Sequence, residues 1–238
     1  MDDISGPHRH PAARILDAAL IVMIAGALSI VALQLVSRDW FPPEVSISQY
    51  GVGEYGWMLT ATLLCFAGAS ALLLWGAMRQ SPRLGWPVIA PWTLWIAGLV
   101  VMALIPTNEW PAPLTLTGQI HQAAAICGLF FAPIGAVLMV RPAIHSETRT
   151  GRRARGVVIS SGLLSWFFLG LLLLTNIDID ITGLGYLRAW SLHQTIAVLF
   201  DIVMVFALIV CLRAGVGVGS SSRRLGSSPS ATSGSVPA

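Results

Sequence analysis

Lysine is absent from this 238-residue chain, and all 14 basic residues are arginine. Charge of either sign is scarce: 11% of residues carry one, against about 25% in an ordinary soluble domain. Cysteine is scarce as well. Cys65, Cys127 and Cys211 are odd in number and each falls inside an apolar stretch, so no extracellular disulfide framework is implied, and as small apolar residues they need no special role. Catalytic signatures are missing too: no nucleophile elbow, no phosphate-binding glycine loop and no His-Glu-x-x-His. Their absence lowers the expectation of an enzyme without removing it, because intramembrane enzymes use scattered polar residues.

What the chain has in abundance is oil. Hydrophobic residues make up 55% of it and the mean hydropathy is +0.74. Six stretches, 15–36, 55–78, 88–105, 116–140, 157–174 and 186–212, are each long enough for a hydrocarbon layer of about 30 Å, which takes roughly 20 helical residues. The first stretch is too long for a signal peptide, and "LQLVSRDW" after it offers no small-x-small cleavage site. The expected fold is therefore an all-α polytopic membrane protein. It has a leader at 1–14, a six-helix domain at 15–213, and a Gly/Ser/Pro tail at 214–238 with little to bury.

The arginines fix an orientation. With the N-terminus inside, the cytoplasmic segments hold Arg9, Arg14, Arg79, Arg83, the run from Arg141 to Arg155, Arg213, Arg223 and Arg224, while the outer loops hold only Arg38 and Arg188. This asymmetry predicts three hairpins joined on the outside of a plasma membrane, with both termini cytoplasmic. The net charge of +3 then reflects topology and gives no reason to expect nucleic acid. "RTGRRARG" at 149–156 reads as a topology determinant that can also touch anionic headgroups.

Each outer loop leads into an even-numbered helix through a turn-prone approach: "FPPEVSISQYGVGEYGW", "IPTNEWPAPLTLTGQIH" and "NIDIDITGLGYLRAWSLH". A threefold repeat and the ordinary turn-richness of hairpin loops explain this equally well. Trp40, Phe41, Tyr50, Tyr55, Trp57, Trp110, Tyr186 and Trp190 fall where an interfacial aromatic belt is expected. The loop from Arg38 to Glu54 is long for a hairpin, which suggests a segment lying on the membrane or a lid.

Few polar residues sit where chemistry could occur. "SLHQ" at 191–194 fits a capping box that would start the sixth helix near Leu192, and Thr117 can cap the fourth. On that reading His121 and His193 share the first turn of their helices at one depth, and the helix dipole favours neutral rings. As a structural pair they would bond backbone carbonyls or Gln122, Gln194 and Asn108. As a functional pair they would ligate a metal or haem, or relay protons, with Glu54, Glu109, Asp178 or Asp180 to complete a site. Gly118, His121, Ala125, Gly128, Ala132 and Gly135 form a narrow small-residue stripe, which implies either close helix packing or a cavity beneath the histidine. Asp201 lies roughly 9 to 15 residues into the last helix, about 13 to 22 Å deep. A carboxyl there is costly and should face the bundle interior, with Ser165 a neighbour by depth. Gln194 and Asp201, seven residues apart, draw a sparse polar line inward. Asp17 is expected in the first turn of helix one, stabilised by the dipole.

At "FPPEVSISQYGVGEYGWMLTA", "LIPTNEW" and "GQIHQAAAI" the chain resembles the bacterial six-helix membrane family catalogued as domain of unknown function 998, over roughly residues 15–212. The likeness lies in helix count, the Gly/Tyr-rich approach to the second helix, and Gly118 and His121 at the opening of the fourth. It implies a bacterial plasma-membrane protein and brings no reaction or cofactor with it. The expected role is to bind or pass a lipid or small solute, or to serve as a membrane partner of another envelope protein. The rival is an intramembrane enzyme, either a metal-dependent hydrolase or a haem redox protein, that uses His121 and His193 as ligands.

Overall fold

The computed structural model describes residues 11–39, 41–81, 84–109, 112–143, 148–177, 182–183 and 185–225. Among them six helices are long and apolar enough to cross a membrane, and there is no strand. They are α1 (Pro11–Ser37), α2 (Gly56–Gln80), α3 (Trp86–Leu104), α4 (Leu116–Ala143), α5 (Arg149–Asn176) and α6 (Tyr186–Leu225), with a 3-10 turn at Ile47–Gly51 between the first two. Trp40, Trp110, Asp178 and Asp180 lie outside the described residues.

Consecutive helices pack most extensively as α1 on α2, α3 on α4 and α5 on α6, and α6 closes back on α4 and α1. Half of the apolar window of α4 and of α6 is buried inside the protein, against 22% for α1, so these two are the inner helices. The polarity is that of a membrane protein. Ile21, Leu28, Leu163, Phe167 and Leu199 are exposed, where hydrocarbon costs them nothing, and the few polar side chains turn inward.

Small residues decide where helices touch. A Cβ at Gly98 of α3 would stand 2.9 Å from the carbonyl oxygen of Ala124 and 3.2 Å from Gly128 Cα, so α3 and α4 meet backbone to backbone. At Gly135 a Cβ would come within 3.0 Å of Trp92 N. Trp92 is fully buried, and its Nε1 donates to the carbonyl of Ser70 at 3.0 Å, tying α3 to α2. The stripe on α4 therefore has two uses: Gly128 and Gly135 admit α3, while His121 and Ala125 face a cavity.

Several helix starts lie earlier than the residues suggest, for a shared reason: polar residues can be helical where a helix projects past hydrocarbon. Expected from 157, α5 begins at Arg149, capped by Thr148, whose hydroxyl accepts from Gly151 N–H at 3.1 Å. The arginine cluster is thus helical, with stems long enough to reach water. Expected from 15, α1 begins at Pro11, so Asp17 is past the first turn, and the dipole account gives way to an ion pair with Arg213 on α6 at 2.6 Å. At its far end α6 continues past 213 to Leu225.

Candidate functional site

At the end of the bundle that carries the longer connections, three segments are stitched together. Ile47 N–H donates to Gln194 Oε1 on α6 at 3.1 Å, Gln49 Nε2 donates to the carbonyl of Asn108 at 2.8 Å, and Arg188 pairs with Glu44 at 3.1 Å. The 38–55 loop is folded to do this by Asp39. Its carboxylate accepts from Glu44 N–H at 2.8 Å, Val45 N–H at 3.3 Å and Tyr50 OH at 2.7 Å. Burial, helped by the Asp39 carboxylate, pushes the Tyr50 phenol above its usual value, so it remains a donor at any physiological pH. Tyr50 is buried, not part of an interfacial belt, whereas Phe41 and Trp57 are exposed as a belt requires. Tyr186 and Trp190 stack on each other at 6.1 Å and line a cavity.

That cavity measures about 560 Å³ and opens between residues 44–53, 107–109 and 112–114, α4, α5 and the start of α6. Its polar lining includes Gln122, Asn108, Glu109, Ser191 and Asn176, and Leu129, Leu172, Leu187 and Trp190 supply apolar wall. Beneath it, enclosed by α1, α2, α3, α4 and α6, is a second space of about 60 Å³ that reaches Asp201, Ser70 and Trp95. Ser48, His121, Ala125, Leu129 and Gln194 border both spaces and form the neck between them.

His121 is buried, with Nδ1 2.6 Å from the carbonyl of Ile105 just past α3. A carbonyl only accepts, so Nδ1 carries the proton in this contact. His193 is buried elsewhere: its Nδ1 is 3.2 Å from Thr175 Oγ1 on α5, its ring lies near Phe168, and it borders neither cavity. Because α4 and α6 begin at Leu116 and Tyr186, both histidines lie beyond the first turn and have different surroundings. Among the described residues no three His, Cys, Asp or Glu side chains gather as a metal site.

The capping box at 191–194 does not form. Ser191 is already inside α6, and Gln194 is occupied by the 3-10 turn. On α4 the cap is Thr115 and not Thr117: Thr115 Oγ1 accepts from Gly118 N–H at 3.4 Å, while its own N–H donates to Asn108 Oδ1 at 3.0 Å. Asn108 thus closes the 106–115 loop against Gly118, where a Cβ would collide with its side chain, and it does not bond a histidine.

Asp201 is 1% exposed, fifteen residues into α6, so about 22 Å from its start. Neither carboxyl oxygen has a hydrogen-bond partner; Ser165 Oγ on α5 faces the group without completing good geometry. Gln194 and Asp201 are thus both buried along α6 and belong to the residues around the inner space, but the surface of that space is almost wholly apolar and the acid's oxygens are enclosed by protein.

A bundle of apolar helices turned outward to lipid around a polar-necked interior defines an integral, multi-pass membrane protein. Within that class the chain belongs to the family described as protein of unknown function (DUF998), whose model matches residues 18–210. No curated protein and no solved structure matches it.

Proposed function

We propose that this protein sits in a bacterial plasma membrane with both termini inside and binds, and passes inward, a lipid or small amphiphile through a vestibule that faces outward. The orientation rests on the arginines: among the described residues, Arg14, Arg79, Arg149, Arg152, Arg153, Arg155 and Arg213 belong to the end of the bundle opposite the vestibule, and only Arg38 and Arg188 to the vestibule end. In a cysteine-free background, Glu109→Cys is expected to react with a membrane-impermeant maleimide on intact cells, and Arg152→Cys only after permeabilisation. The reverse pattern overturns the orientation.

The observation that carries the binding role is the cavity of about 560 Å³, within the range of roughly 300 to 1,000 Å³ that small-molecule sites occupy. Its mixed lining suits an amphiphile: stacked aromatics and leucines on one side, amide and hydroxyl groups on the other. Ala125, at the neck, has room above and below it. Native mass spectrometry of protein taken gently from its membrane is expected to show a bound adduct, with occupancy lowered about fivefold or more by Ala125→Phe, which fills the neck. A well-folded variant that keeps the adduct, or wild-type protein that never carries one, defeats the reading.

A further inference from the structure

How a ligand reaches the vestibule follows from the packing of α4 against α5, a deduction that rests on the vestibule reading. On α5, Gly162, Trp166, Leu169, Leu173 and Asn176 follow one another at steps of three and four residues and so form one stripe. Its lower half is fixed to α4. A Cβ at Gly162 would stand 3.3 Å from Pro133 Cβ, and Trp166 Nε1 donates to the carbonyl of Phe130 at 2.9 Å while the two rings stack at 5.9 Å. Leu169 is buried. Above it the stripe comes free: Leu173 is 40% exposed, and Asn176 lines the vestibule. The answering stripe on α4 does the same. Pro133 is buried, whereas Ile126 and Gln122, two and three turns earlier, line the vestibule. The two helices therefore part above the Trp166–Phe130 bridge and leave a cleft in the side of the cavity. On the flank of that cleft a Cβ at Gly170 would meet nothing within 4 Å among the described residues.

The depth and chemistry of the cleft select its occupant. From Trp166 to Asn176 is ten residues of helix, about 15 Å, which is half of a hydrocarbon layer of about 30 Å. The cleft is thus as deep as one leaflet. Ile126, Leu129 and Leu172 make its inner wall apolar, and hydrogen-bonding groups on Gln122, Asn176 and Ser191 gather at its upper end. A chain that is apolar for the depth of a leaflet and polar at the interface is a lipid. A water-borne solute would come in at the mouth and gain nothing from an apolar slot opening sideways. A spanning helix of a partner could not seat along it either, because the bridge closes the slot halfway across the bilayer.

We propose that the cleft between α4 and α5 is a lateral portal, through which a lipid of the adjoining leaflet places an acyl chain beside Ile126 and Leu172 and its head in the vestibule.

The test uses phosphatidylcholine with a photoactivatable diazirine in one acyl chain, incorporated into nanodiscs that hold the full-length protein; adducts are located by peptide mass spectrometry. Leu129 and Leu172 are 4% and 2% exposed, so bulk lipid around the bundle does not reach them. Wild type is expected to carry label on both. Leu173→Trp, which narrows the cleft from a position already open, should lower that labelling about fivefold or more. Leu163→Trp, the same change at another lipid-facing site on α5, should leave it as it was. Label confined to lipid-facing residues such as Leu163, Phe167 and Leu199 overturns the portal, as does labelling of Leu129 and Leu172 that Leu173→Trp leaves unchanged. A dimer in which those two leucines stay unlabelled overturns it as well, since a second copy then covers the cleft. In each of these cases a native adduct sensitive to Ala125→Phe still upholds the vestibule, entered from the aqueous side.

Discussion

Gly98→Leu is expected to abolish recovery of monodisperse protein, with a destabilisation of about 3 kcal/mol or more and Gly98→Ala intermediate. The reason is the absence of give. The atoms a new Cβ would meet are the Ala124 carbonyl oxygen at 2.9 Å and Gly128 Cα at 3.2 Å, both backbone, so the whole of α3 must move off α4. That movement would pull Ile105 away from His121 Nδ1, now 2.6 Å apart, and widen the neck. Thermal unfolding followed by size-exclusion chromatography in detergent reads the effect. A Gly98→Leu protein as stable as wild type would mean that the two helices are not in backbone contact. Filling the space beside Ala125, one turn earlier on the same stripe of α4, should leave folding intact, because that residue borders both cavities.

The second large effect has the opposite sign. Asp201→Leu is expected to raise the melting temperature by several degrees. A carboxyl at mid-membrane costs about 2.5 to 3.5 kcal/mol on insertion scales, and here no hydrogen bond from the chain offsets it. An apolar side chain of similar size removes that cost and fills part of the space beside Val198 and Val205. A purely structural acid predicts the reverse, lower stability, since its loss would strand whatever it held. Differential scanning fluorimetry of wild type, Asp201→Asn and Asp201→Leu separates the two: an Asp201→Leu protein that melts earlier than wild type argues that the carboxyl is a bolt.

Helix number and type were legible because a hydrocarbon layer imposes one length and one composition on every segment that crosses it. Boundaries were less so. Polarity marks where a helix leaves the hydrocarbon and not where it ends, and α1, α5 and α6 all run past that line. For the site, the depth and inward orientation of Asp201 followed from the cost of an exposed carboxyl, and Gln194 from its place one heptad earlier. The histidines did not follow. Equal sequence depth on two helices says nothing about rotation, and His193 is turned toward Thr175 on α5 while its neighbour Gln194 takes the cavity side. The roles of Ile47 and Gln49 at the mouth had no local signature beyond the length of their loop, since they are set by contacts to residues 147 and 59 positions away.

The bond from Ile47 N–H to the Gln194 side chain fastens the roof of the vestibule to its innermost helix. A backbone donor is indifferent to which acceptor it meets, so a guest that brings its own carbonyl or hydroxyl can take the place of the glutamine without a net loss of bonds. On the proposed binding role, admission would need no hinge and no rigid-body swing of helices. The side chain would only have to rotate aside, and the same rotation would free its amide oxygen for another donor.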